Sequence, residues 1–178
     1  VVETNDSTQN KAMFVDIRYN GDTLRVYNIH LQSMSLGSED YATSEAVLHT
    51  DMSDPEIEAK TARLYHKVTA AYDHRQKQAK AIRAHIDSCK HPVIICGDFN
   101  DSPASYSAHK IGHGFKDSFR SSGKGLGATF FGEPFPPYRI DYIFHSRQYN
   151  DFGHTVCTEL NTSDHKPIYT YISILEKR

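Results

Sequence analysis

Two adjoining segments constrain this chain more than anything else in it. From Glu56 to Ser88 there is neither Gly nor Pro, and Ala, Lys, Gln and Arg dominate; after His91-Pro92, Val93-Ile94-Ile95-Cys96 follows as an unbroken apolar run. The first segment predicts one long helix or two consecutive ones, with Asp54 as N-cap and Pro55 in the first turn. Leu64, Val68, Ala71, Ala79, Ile82 and Ile86 are spaced to form its apolar stripe. The second segment predicts a strand covered on both faces. A helix that delivers the chain into a buried strand points to α/β layering, not to an open antiparallel sheet.

The flanking sequence fits such a layering. Met13 to Tyr19 and Leu24 to Leu31 read as strands, and Asn20-Gly21 between them is a strong hairpin signal. Residues 1–12 are polar and unpatterned, and Gln32 to Pro55, rich in Ser, Thr, Gly and Asp, predicts a long loop directly after His30. Residues 101–137 predict loops with short helical pieces, and further strands are expected at Arg139–Phe144, Thr155–Leu160 and Ile168–Leu175. No repeat or linker divides the 178 residues, so a single domain is expected. The formal net charge of −2 excludes a global basic footprint for coating nucleic acid. A local one remains open, because Lys110, Lys116, Arg120 and Lys124 stand among Phe115, Phe119, Phe130 and Phe131; such a loop suits a lipid or inositol phosphate equally. Cys89, Cys96 and Cys157 are too scattered for a disulfide framework or zinc site. No apolar run approaches the roughly 18 residues of a membrane span, and Val1 to Asp6 is not a signal peptide.

Four short motifs carry chemistry. Gly97-Asp98-Phe99-Asn100 leaves the buried strand; on an extended chain Asp98 and Asn100 point the same way while Phe99 enters the core. The carboxylate can orient water or a metal and the amide can donate to a phosphate oxygen. Gly, Asp and Asn are also turn formers, so the tetrapeptide alone fits a plain strand-to-turn connection. Ser163-Asp164-His165 offers a hard metal ligand beside a proton-transfer group, or else a capped turn with a solvated His. Asp141, within Arg139-Ile140-Asp141-Tyr142-Ile143, lies among apolar residues and needs a partner, for which His165 is the natural choice; an edge facing water is the alternative. His30 closes the second strand in Asn28-Ile29-His30-Leu31, where a histidine taken alone is more often structural than catalytic.

Taken in order, these four motifs at predicted strand ends resemble the endonuclease/exonuclease/phosphatase superfamily, the deoxyribonuclease I-like hydrolases, from about Met13 to Ile174. The resemblance implies a two-sheet α/β sandwich with outer helices and an active site where loops of both sheets meet. It implies a nuclease, phosphodiesterase or phosphatase in which water attacks phosphorus in line and Mg²⁺ or Mn²⁺ neutralises the developing charge. It makes His165 the general base oriented by Asp141, and Asp164 a metal ligand. Asp98 would position water or approach the metal, Asn100 would donate to the phosphate, and His30 would stabilise the phosphate or leaving oxygen. Arg75 and Gln78 resemble an Arg…Gln-Ala pattern on a helix of the family, although a solvated helical face explains them equally.

One departure carries its own expectations. Family members begin with an Asn-bearing strand, a helix and a strand ending in a metal-binding Glu, and nothing before Met13 matches. The chain is therefore expected to be the C-terminal portion of the sandwich, with any signal or membrane anchor in the missing part. It should bind metal weakly, hydrolyse little, and present an apolar face that is exposed, covered by a partner or used in self-association. The alternative is a non-catalytic truncated domain acting in binding or self-association. The phosphate ester itself, whether nucleic acid, phospholipid or inositol phosphate, is left open.

Overall fold

Asn20 and Gly21 both take positive φ, 48° and 81°, so the chain reverses in two residues. Strand β1 (Ala12–Tyr19) then pairs antiparallel with β2 (Asp22–His30) in unbroken register. Positive φ at both central positions gives a turn whose twist matches the strands it joins. The computed structural model describes residues 1–4, 11–49, 55–132 and 137–174, so the expected cap Asp54 and strand end Leu175 lie outside the described residues.

Beyond the hairpin, β2 runs parallel to β3 (Val93–Asp98), and β3 runs antiparallel to β5 (Asp141–His145). The two-residue β4 (Lys116–Asp117) edges β5, completing a five-stranded sheet in the order β1-β2-β3-β5-β4. A second, antiparallel sheet is formed by β6 (Asn150–Val156) and β7 (Ile168–Ser173). Among the described residues four helices accompany them: α1 (Ser38–His49), α2 (Pro55–Asp87), α3 (Tyr106–Gly112) and α4 (Ser118–Ser122). The architecture is α/β with two sheets, as expected.

The Gly- and Pro-free segment forms one helix, and its C-terminal half lies on the large sheet. Ala79, Ile82 and Ile86 pack with Tyr27, Ile29, Ile95 and Phe99 in the main core, where α3 adds Ala108 and Ile111. Leu64 and Val68 are only half-buried, whereas Arg75 and Gln78 are 0% and 1% exposed. The expected stripe is thus correct at its C-terminal end. A solvated face is the wrong description of Arg75 and Gln78.

Three other expectations are corrected. Gln32–Pro55 is not all loop, because α1 forms within it without apolar periodicity. It is held by polar contacts instead: the Gly37 N–H donates to Asp40 Oδ2 at 2.8 Å, and Lys67 of α2 pairs with the same oxygen at 2.6 Å. The strand placed at Thr155–Leu160 begins earlier, at Asn150; Gly153, at φ 68°, sits in an irregularity between Phe152 and Thr155 that breaks the alternation. Val2 is buried and its N–H bonds to the Ala12 carbonyl at 2.8 Å, so the opening residues are not wholly without structure.

Gly97 is where β3 passes closest to β2. Its φ is +141°, and a Cβ there would stand 1.9 Å from the Ile29 carbonyl oxygen. Gly97→Ala is therefore expected to cost about 3 kcal/mol, from backbone strain plus overpacking, read from the urea midpoint. A loss below about 1 kcal/mol would show that the two strands can move apart, contrary to that close packing.

The two faces of the large sheet differ. One lies under α2 and α3. The other carries Met13, Val15, Ile17 and Tyr19 of β1, which are 50%, 51%, 44% and 52% exposed, followed across the register by Val26, Ile94 and Cys96. At the β5 end this face is tied to the small sheet, where fully buried His145 Nε2 meets Asp151 Oδ1 at 2.9 Å. Over β1 the apolar row stands open.

Candidate active site

Register alone brings the first three polar groups together. His30 pairs with Asp98 between β2 and β3, and Asp98 pairs with Asp141 between β3 and β5. Directly opposed residues share a face, so the three form one row at the end of the open face. Facing carboxylates repel, and the row stands only because each acid has donors. Asp98 accepts from the Asn100 N–H at 2.7 Å and from Asn100 Nδ2 at 3.0 Å, on different oxygens. Asp141 Oδ2 lies 3.0 Å from His165 Nδ1, the partner expected from its apolar strand.

His165 and Asp141 are placed by one segment. Thr129 Oγ1, buried, accepts from the N–H groups of Ile140 and Asp141 at 3.1 Å each. The Thr129 carbonyl takes the Lys166 N–H at 2.7 Å, and Phe131 N–H donates to the Asp164 carbonyl at 2.8 Å. The Phe130 ring stands edge-on to His165, with centroids 5.1 Å apart. Sequence reasoning missed Thr129, which sits in a Gly-rich stretch with no periodicity to mark it.

With Nδ1 donating to Asp141, the imidazole leaves Nε2 as its acceptor, 3.9 Å from Asp98 Oδ2. His30 Nε2 approaches the same oxygen at 3.7 Å, with its side chain 60% exposed. The hydrogen bond to Asp141 raises the His165 pKa above its ordinary value against the opposing effect of burial, and the charges of Asp98 and Asp164 add to the rise. Burial pushes the Asp98 carboxyl up, opposed by the Asn100 N–H and by the two imidazoles.

A cavity of about 350 Å³ opens over this row, lined by His30, Asp98, Asn100, Asp164 and His165 with Tyr41, Phe130 and Tyr138. Asp141 stands behind His165, so all six residues singled out in the sequence converge. Two details differ from expectation. The chain is not extended through Asn100, whose φ is 50°. Its Nδ2 donates to the Leu31 carbonyl and to Asp98, both at 3.0 Å, so the amide holds Asp98 and is not spare for a phosphate. In addition, the group whose donor atoms lie within 4.8 Å of one another is Asp98, Asp141 and His165, without Asp164.

That group fits an oxygen-seeking cation only in part. Its carboxylates and Nδ1 are hydrogen-bonded to one another or to Asn100, and Mg²⁺ demands a near-octahedral set of oxygens. Asp164, exposed on the cavity wall with Ser163 Oγ 3.1 Å from Oδ1, remains the carboxylate open to a metal. Of the basic loop Phe130 joins the site, but Lys116, Arg120 and Lys124 do not. Lys116 Nζ bonds to the Tyr149 carbonyl at 2.7 Å, Arg120 lines a separate cavity of about 530 Å³ and Lys124 another.

Comparison with known proteins bears on the family and the fold. The model of the Endonuclease/Exonuclease/phosphatase family matches residues 10–165. Among solved structures, a humanized TDP2 of D. rerio superposes with a TM-score of 0.64 at 16% identity, over 97% of this chain and 65% of that one. An endonuclease/exonuclease/phosphatase from Bacteroides vulgatus gives 0.62 at 18% identity, over 93% and 56%. The mannosyl-6-phosphatase of Bacteroides thetaiotaomicron gives 0.54 at 18%, over 87% and 53%. Identities this low show likeness of fold. The chain spans little more than half the length of several of these structures. No curated protein sequence matches it.

Proposed function

This chain belongs to the Endonuclease/Exonuclease/phosphatase family, and from that premise we propose that it carries the proton-handling part of a metal-dependent phosphoesterase site. The observation that carries the reading is the His165–Asp141 pair at 3.0 Å, with Asp98 beside it in one cavity. Asp141 fixes the imidazole tautomer, so Nε2 of His165 takes the proton of a water as that water attacks phosphorus. Asp98 orients the water, and His30 donates to a phosphate or leaving-group oxygen. Asn100 holds Asp98; contact with the phosphate requires it to exchange one of its present bonds for one to substrate. Mg²⁺ or Mn²⁺ held by Asp164 would supply charge neutralisation at the phosphate oxygens.

One carboxylate is a poor metal site, so the proposal includes further oxygen ligands from a segment that covers the open apolar face. A second reading, a binding or self-associating domain with little hydrolysis of its own, rests on that same face. Hydrolysis of DNA, sphingomyelin and inositol phosphates with Mg²⁺ or Mn²⁺ tests the first reading. Cleavage of one class that is lost on chelation is the expected result. No cleavage of any of them by folded protein, with and without a covering segment, would overturn it.

A further inference from the structure

We infer that Arg75 and Gln78 of α2 are positioning residues that set the separation of His30 from Asp98, which deepens the phosphoesterase reading and rests on it for its catalytic part. His30 and Asp98 are the last residues of β2 and β3, and beyond them both backbones leave the sheet. Two bonds join the exits directly: the Leu31 N–H donates to the Asp98 carbonyl, and Asn100 Nδ2 to the Leu31 carbonyl, both at 3.0 Å. One residue further, helix α2 takes hold. Gln78 Oε1 accepts the Gln32 N–H at 2.9 Å, and Arg75 Nη1 donates to the Gln32 carbonyl at 2.9 Å. Both backbone groups of Gln32 are thus gripped by side chains one helical turn apart.

The same guanidinium reaches the other exit. Arg75 Nε lies 3.2 Å from Asp101 Oδ2, with side chains 0% and 5% exposed. The Asp101 carbonyl in turn accepts from the Tyr142 hydroxyl at 2.8 Å, beside Asp141 on β5. A single buried cation therefore spans the exits of β2 and β3, the strands that carry His30 and Asp98. Stability does not explain it, because desolvating an ion pair offsets most of its attraction and apolar residues of similar volume serve a core as well or better. Moreover, Arg75 Nη2 and Gln32 Oε1 are buried without a hydrogen-bond partner among the described residues, an arrangement that packing for stability alone disfavours. What the ion pair supplies is a fixed distance between two backbones, and misplacement of about 1 Å can cost a hundredfold in rate.

Gln78→Leu tests this with little change in volume, and Gln78→Glu keeps the acceptor as the conservative control. In Gln78→Leu, exchange of the Gln32 amide should accelerate about tenfold or more while amides of β3 stay protected, because the acceptor of the Gln32 N–H is removed locally. The imidazole NMR signals of His30 should shift or broaden, and those of His165 should not. With bis(p-nitrophenyl) phosphate as probe, kcat should fall about tenfold with KM within about twofold, and Gln78→Glu should restore both. Arg75→Lys, which keeps the charge but not the fork, should reproduce the His30 change. If the wild-type protein hydrolyses no probe either with or without a covering segment, the phosphoesterase reading fails, and the exchange and imidazole data still decide whether the clamp positions His30. Gln32 exchange, His30 signals and kcat all unchanged in folded Gln78→Leu would overturn the inference. So would a uniform rise of exchange throughout the core with His30 unmoved, which marks a role in stability alone.

Discussion

Asp141→Asn is expected to lower kcat for phosphate-ester hydrolysis by about two orders of magnitude or more, the usual loss when acid–base positioning fails. Asp141 accepts from His165 Nδ1 and so leaves Nε2 bare to receive a proton. An amide there can turn its N–H toward the ring and favour the opposite tautomer, the failure known from serine-hydrolase triads. The pH profile separates this from simple damage. His165 acts as base only when neutral, and its hydrogen bond to Asp141 is the largest cause of its raised pKa. The acidic limb of kcat in the wild type should therefore lie above the ordinary imidazole range, and activity should fall as pH drops through it. With the carboxylate removed, the limb should move to lower pH while the plateau drops. A change in kcat below about threefold, or a limb that stays in place, would remove Asp141 from the mechanism.

How far this site was legible depends on what kind of cost each residue carries. Asp141 could be paired with His165 from the sequence because an acid on an apolar strand requires a donor, and few were available. The convergence of His30, Asp98 and Asp141 follows from strand order and register, which the hairpin and the buried strand imply only in outline; the parallel pairing of β2 with β3 is a tertiary fact. Arg75 and Gln78 stay undecided in the sequence, between a family pattern and a solvated face, for a physical reason. Polar residues on a long helix ordinarily face water, and nothing local shows that two of them face backbone groups across the sheet. Helix α1 was missed because its helicity rests on capping and on the Lys67–Asp40 contact, which leave no periodic trace. Asn100 stands beside Asp98 as expected, but by a left-handed turn after the strand and not by strand alternation, which its backbone breaks.

The largest effect outside the catalytic pair should come from covering the open sheet face. Met13, Val15, Ile17 and Tyr19 form one row there, each about half exposed; at about 25 cal/mol per Å², burying what remains of each contributes about 1 kcal/mol, so a covering layer gains several kcal/mol from this row alone. Exposed apolar patches beyond a few hundred Å² are rare on soluble monomers and mark interaction surfaces. The 178 residues alone should accordingly bind a hydrophobic dye or self-associate. Val15→Lys with Ile17→Lys should abolish either behaviour while changing the stability of the isolated chain by no more than about 0.5 kcal/mol per site, since neither side chain is buried in it. The same face ends at His30, Asp98 and Asp141, so a segment laid along it reaches the site, where among the described residues no further carboxylate groups with Asp164 as a metal cluster. Metal binding by the isolated chain should therefore be weak, and a segment that covers this face, in cis or as a separate peptide, should raise both metal affinity and hydrolysis in the wild type but not in the double lysine variant. Calorimetry showing micromolar Mg²⁺ or Mn²⁺ binding by the isolated chain, or sedimentation as a clean monomer that ignores the dye, would refute this account and require a metal ligand within the chain itself.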